Sequence, residues 1–154
     1  MQLISLGAGF CSRAWRLSVP VPYQHIFELD RAQVLLEKLS LMTALSRRLP
    51  VSNLVLGEKY SALGVDLQLP FSEALLQAEY QAHIPTVWVL EGLLYYLPET
   101  SVRSLLTEAH RISAKGSTLL ATVVNWRAVY RAQKSNKGAK SAFQSGIYHR
   151  SKHN

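Results

Sequence analysis

Apolar residues fall in short runs that alternate with longer stretches in which they recur every three or four positions. Leu3, Ile4 and Leu6 form the first run, and the glycines that follow mark it as a buried strand that stops abruptly. A second run over 25–30 ends in acids, Ile26-Phe27-Glu28-Leu29-Asp30. A third lies within 58–67 and closes on Ala62-Leu-Gly-Val-Asp66-Leu67, a fourth covers 85–90 before Glu91-Gly92, and a β-branched fifth covers 117–124. Between them, 31–45 carries apolar residues at 32, 34, 35, 39, 42 and 45, and 98–114 carries them at 102, 105, 106, 109 and 112. Both spacings predict amphipathic helices. Strands alternating with helices predict right-handed crossovers and a parallel sheet.

Local signals refine the boundaries. Ser12 is placed to cap a short helix over 12–17, because a hydroxyl there can accept an orphan backbone N–H. Pro20 and Pro22 make 18–22 a loop. Pro70 and Ser72 open a helix expected to run to about His83, and Gly116 stops the helix before the fifth strand. Residues 51–56 read as a strand or an extended connection. Trp88, Leu93, Tyr95 and Tyr96 read as core.

The first strand runs into Gly7-Ala8-Gly9, and Asp30 follows about twenty residues later. A glycine turn between strand and helix lets a ligand approach the backbone, and an acid at the next strand tip can accept from the two hydroxyls of a ribose. Asp66 and Glu91 stand at two further expected strand ends, with helix capping as their purely structural role. A glycine turn with three strand-end acids points to a polar, nucleoside-containing ligand. A nicotinamide fingerprint would want a glycine at position 12, which is Ser12.

The net charge of +7 suggests nucleic acid until it is divided. Residues 1–125 carry ten Lys/Arg and ten Asp/Glu, whereas 126–154 carry seven Lys/Arg and no acid. The excess therefore belongs to a basic tail, which argues against a nucleic-acid-binding domain. A single cysteine excludes a disulfide framework and fits a reducing, cytoplasmic setting, with no secretory leader in view. Cys11 reads as a packing residue. The scattered His25, His83 and His110 lack metal-ligand spacing, so no metal is expected. The longest apolar run, 87–97, is too short to span a bilayer.

Four segments in order, Leu6-Gly-Ala-Gly-Phe-Cys-Ser-Arg-Ala-Trp-Arg-Leu17, Phe27-Glu-Leu-Asp30, Gly64-Val-Asp-Leu67 and Trp88-Val-Leu-Glu-Gly-Leu-Leu-Tyr-Tyr-Leu97, resemble the leucine carboxyl methyltransferase family. The resemblance covers about residues 1–125 and is nearer to the bacterial-type branch. It implies an S-adenosyl-L-methionine-dependent O-methyltransferase built on a Rossmann-like α/β sheet of about five strands, order 3-2-1-4-5, with flanking helices. By position it implies that Gly7, Ala8 and Gly9 lie beneath the cofactor's amino-acid portion and that Asp30 holds the ribose. Asp66 and Leu67 would face the adenine, Glu91 would meet the methionyl ammonium, and Arg13 matches an arginine of the motif. The methyl acceptor would be a carboxyl or hydroxyl oxygen of a small molecule or a protein C-terminus. No catalytic base is assigned, since such acceptors do not require one.

The chain departs from the family in carrying Cys11-Ser12 where Asp-Thr is usual, and in lacking family helices before the first strand and strands after the fifth. It therefore reads as an incomplete class I methyltransferase fold, with 1–125 the partial cofactor-binding domain and 126–154 a basic tail that adds no strand. An uncovered sheet edge would then favour self-association. The rival reading is a catalytically inactive, truncated Rossmann-like module that binds a nucleoside or a protein.

Overall fold

The computed structural model describes residues 1–17, 19–46, 57–125 and 127. The expected strand or connection at 51–56 and nearly all of the basic tail lie outside these residues. Five parallel strands pair in the order β3-β2-β1-β4-β5, the expected order: β1 (Gln2–Leu6), β2 (Tyr23–Asp30), β3 (Gly57–Gly64), β4 (Thr86–Leu90) and β5 (Thr118–Ala121). The connecting helices are α1 (Arg13–Arg16), α2 (Ala32–Ser46), α3 (Ser72–Gln77) and α4 (Glu99–Arg111), with a 3₁₀ turn at Leu94–Tyr96.

Alternation along each strand builds two layers. One face of the sheet presents Ile4, Leu6, Phe27, Leu29, Trp88 and Leu90 to Phe71 and Leu75 at α3 and to Leu105 and Ala109 on α4. Six of these side chains are wholly buried, and they form the main core. Trp88 is held there by its indole N–H, which donates to Ser113 Oγ at 2.8 Å. The opposite face presents Leu3 and Ile26 to Ala14 of α1. Here α2 inserts Lys38, 1% exposed, which pairs with the buried Glu28. Tyr60 Oη donates to the same Glu28 oxygen at 2.6 Å, and Lys38 Nζ lies 5.2 Å from the Trp15 ring centre. This face is only partly roofed, and a cleft of about 300 Å³ remains over Leu3, Val87, Val89 and Leu120, with Glu28 in its lining.

Several elements depart from the sequence pattern. Helix α3 ends at Gln77 rather than near His83. Tyr80 N–H donates to Leu75 O and Glu79 N–H to Leu76 O, with Glu79 at φ +67°, which is a Schellman stop. Its left-handed residue is a glutamate, so the usual glycine signal was missing. Strand β3 ends at Gly64, where a Cβ would come within 2.7 Å of Ala32 Cβ. Asp66 therefore lies in the turn beyond the strand rather than at its tip. Ser12 occupies the N-cap of α1 but makes no side-chain cap bond. Its hydroxyl accepts from Arg16 Nε instead, at 3.0 Å. Strand β5 is shorter than 117–124 and exposed at all four positions. Tyr96 is 71% exposed, not core, and packs at 4.7 Å against Tyr95.

Candidate cofactor site at the strand ends

The sheet brings the glycine turn and the first acid into contact. Gly7 N–H and Ala8 N–H both donate to Leu29 O, at 2.8 and 3.2 Å, so the end of β2 straps the turn down. Gly9 N–H donates to Asp30 Oδ2 at 2.8 Å. The other oxygen, Oδ1, accepts from Arg31 N–H at 2.7 Å. A carboxylate oxygen has two lone pairs. Asp30 therefore orients itself on two backbone amides and keeps one acceptor site on each oxygen for a ligand with two adjacent hydroxyls.

Gly7 and Gly9 both have positive φ, +68° and +47°. A Cβ on Gly7 would press on Leu93, whereas one on Gly9 would point into open space. The first glycine is thus explained by packing and backbone, the second by backbone and by free room above the turn. Cys11 N–H closes the turn onto Ala8 O at 3.0 Å; its thiol is half-buried.

Asp66 reaches the same rim by a different route. Val65 N–H donates to Asp30 O at 2.8 Å, tying the chain after β3 to the end of β2. Asp66 is exposed, and its Oδ1 accepts from Gln68 N–H at 2.9 Å, which fixes the turn. Leu67 is 8% exposed, and its side chain joins the core; toward a ligand that position can offer main chain only.

Glu91 follows β4, whose neighbour is β1, and it meets Arg13 at the start of α1. Arg13 donates from one terminal nitrogen to Glu91 Oε2, and the pair is partly exposed, 33% and 48% by side chain. The hydrogen bond that Arg13 donates to Glu91 raises the guanidinium pKa further. Gly92, at φ +67°, turns the chain away, and its N–H donates to Thr122 Oγ1 at 2.8 Å. The cleft on the α1 side meets this rim only through Cys11, Arg13 and Glu91; the glycine turn and Asp30 face the strand ends above it.

Sequence reasoning overlooked Glu28, Lys38 and Tyr60. The signal was present, as an acid inside an apolar strand run and a lysine three residues after the buried Leu35. No group of three or more His, Cys, Asp or Glu suited to a metal occurs among the described residues.

The five parallel strands, in the order β3-β2-β1-β4-β5, form a Rossmann-like sheet, and sequence comparison defines the class. The leucine carboxyl methyltransferase family profile matches residues 1–110, and the chain belongs to that family. A Streptomyces coelicolor protein named "Putative S-adenosyl-L-methionine-dependent methyltransferase" is 37% identical over 123 residues, 77% of this chain and 36% of the relative. Relatives of the same name in Saccharopolyspora erythraea and Mycobacterium marinum are each 34% identical, over 77% and 80% of this chain and 38% and 36% of their own lengths. The chain thus spans less than two-fifths of the length of these relatives.

Proposed function

We propose that residues 1–125 form an S-adenosyl-L-methionine-binding unit serving methyl transfer to an oxygen of a carboxyl or hydroxyl group. One observation carries the reading: Asp30 braces Gly9 and still holds one open acceptor site on each oxygen, beside open space above Gly9. Asp30 would take the ribose hydroxyls. The free Oδ2 of Asp66 would accept from the exocyclic amine of the adenine, with the main chain of Leu67 alongside. Gly7, Ala8 and Gly9 would underlie the amino-acid portion, and Glu91 would face its ammonium group.

The cofactor, when bound, supplies a methyl group already activated by a sulfonium centre. The contribution of this chain is then orientation and electrostatics: two fixed carboxylates and a backbone turn that holds the ligand in one pose. Such a transfer is an in-line displacement, and an ionised oxygen acceptor needs no base from the protein. No helix among the described residues is long and apolar enough to cross a membrane.

Isothermal titration of the full chain with S-adenosyl-L-methionine and S-adenosyl-L-homocysteine tests the proposal. Hydrogen bonds to a charged group are worth about 1.5–3 kcal/mol each. Asp30→Ala removes two such bonds and Asp66→Ala one, so the first variant should bind at least about tenfold more weakly than the second. Asp30→Asn, which keeps one acceptor oxygen for the Gly9 amide, should fall between wild type and Asp30→Ala. Equal losses from Asp30→Ala and Asp66→Ala would contradict the assigned roles. Binding without methyl transfer to carboxyl or hydroxyl acceptors would instead favour a nucleoside-binding module.

A further inference from the structure

We propose that the cleft on the α1 face is a second binding site, for a small neutral aliphatic alcohol whose hydroxyl is read by Glu28 and Ser5. The inference is independent of the cofactor reading. Parallel pairing sets Ser5 between Glu28 and Val89, and sets Val89 beside Leu120. These four side chains form one row across β2, β1, β4 and β5, polar at one end and apolar at the other. Leu3 and Val87, paired two residues back along their strands, extend the apolar floor.

Glu28 is 3% exposed, and Lys38 and Tyr60 both donate to its Oε2. Among the described residues Oε1 has no hydrogen-bond partner, and no buried side-chain oxygen there is sealed without one. Oε1 therefore opens into the cleft that Glu28 lines. The neighbouring Ser5 hydroxyl also has no hydrogen-bond partner among the described residues. A ligand O–H can donate to Glu28 Oε1 and accept from Ser5 Oγ–H while its carbon tail covers Val89 and Leu120. A water molecule would satisfy the two oxygens but leave the apolar floor wet.

Charge and size fix the class. Lys38 neutralises Glu28, and Arg13 neutralises Glu91, the other acid in the lining, so the site carries no net charge. An ammonium would meet Lys38 at the same carboxylate, and a carboxylate would meet Glu28 itself. A neutral donor escapes both. The cleft of about 300 Å³ holds about ten non-hydrogen atoms if each takes about 30 Å³, the share of a water molecule in the liquid. Hexan-1-ol fits that limit.

Heteronuclear NMR titration of the full chain compares hexan-1-ol with 1-methoxypentane, an isomer that accepts but cannot donate, and with hexylammonium and hexanoate. Wild type should bind the alcohol at least about tenfold more tightly than the other three, as expected for a hydrogen bond to a charged acceptor. Shifts should centre on Ser5, Val87, Val89 and Leu120. Glu28→Gln/Lys38→Met keeps the charge balance and an amide oxygen for Tyr60, and so turns an amide N–H to the cleft. The alcohol-to-ether ratio should then fall to within about threefold. Ser5→Ala removes a donor that both ligands use, so both should weaken about three- to tenfold and the ratio should stand. Val89→Phe fills the cleft without touching the buried pair and should abolish alcohol binding, a test that holds even if the double variant fails to fold.

Equal affinity for alcohol and ether in wild type overturns the inference. So does tighter binding of hexylammonium or hexanoate, a ratio that survives in the double variant, or alcohol binding that survives Val89→Phe. A dimer whose dilution moves these same signals while the alcohol does not would give the face to a second copy and overturn it as well.

Discussion

Lys38→Met is the substitution whose consequence the structure specifies most sharply. Lys38 and Glu28 are 1% and 3% exposed, and Lys38 Nζ and Tyr60 Oη converge on one Glu28 oxygen. Methionine matches the lysine stem in length and packs as well against Trp15, so the change removes a charge and little volume. It leaves a buried carboxylate with Tyr60 as its remaining donor. Breaking one partner of a buried pair costs about 3–5 kcal/mol, a large share of the roughly 5–15 kcal/mol that holds a domain together. Glu28→Gln should cost somewhat less, because the stranded ammonium still faces the Trp15 ring, a contact worth about 0.5–2 kcal/mol. Gln also keeps an acceptor for Tyr60. The double variant Glu28→Gln/Lys38→Met has no charge to strand and should lie within about 1 kcal/mol of wild type. Urea unfolding followed by far-UV dichroism and tryptophan emission gives the full cycle. A loss below about 1 kcal/mol for Lys38→Met, or a double variant that loses the sum of the singles, would refute the account. The cluster matters to the site because Glu28 stands two residues before Asp30 and ties α2 and β3 to that strand end.

Two further outcomes follow from the same structure. Gly9→Ala forces a Cβ onto a residue at φ +47°, a cost of about 1–2 kcal/mol to the fold. The methyl group points into the open space above the turn, so S-adenosyl-L-methionine affinity should fall further than stability does; titration beside thermal unfolding decides, and unchanged affinity would remove the turn from the site. His25 is buried near Lys59, and burial first, then that charge, lower its pKa below 6.5. Between the depressed folded value and 6.5 the unfolded chain binds more protons, so stability is full above 6.5 and is lost as pH falls through the folded value. His25→Gln should flatten that slope in unfolding measured from pH 7.5 to 5, and an identical slope would exclude His25 as its source.

What could be read from the chain divides by range. The strands, the turn and Asp30 were legible because each rests on local spacing, namely apolar runs, a glycine turn and an acid at the right distance; the strand order was legible through the family resemblance. Misreadings arose where a local signal was missing or ambiguous. Glu79 adopts the left-handed conformation without being glycine, so the end of α3 carried no mark. Tyr95 and Tyr96 sit in and around a 3₁₀ turn, where a helical count cannot say which ring is buried, and Tyr96 faces outward. Asp66 missed the strand tip because β2 ends at Asp30, the partner of Gly64, so the ladder stops two residues before it. The Arg13–Glu91 pair spans 78 residues and has no local signature. It was nevertheless implicit in the topology: once β1 and β4 are neighbours, residues just past their ends must share one rim. The chain's chemistry concentrates where two local readings, each unremarkable alone, are forced together by the order of the strands.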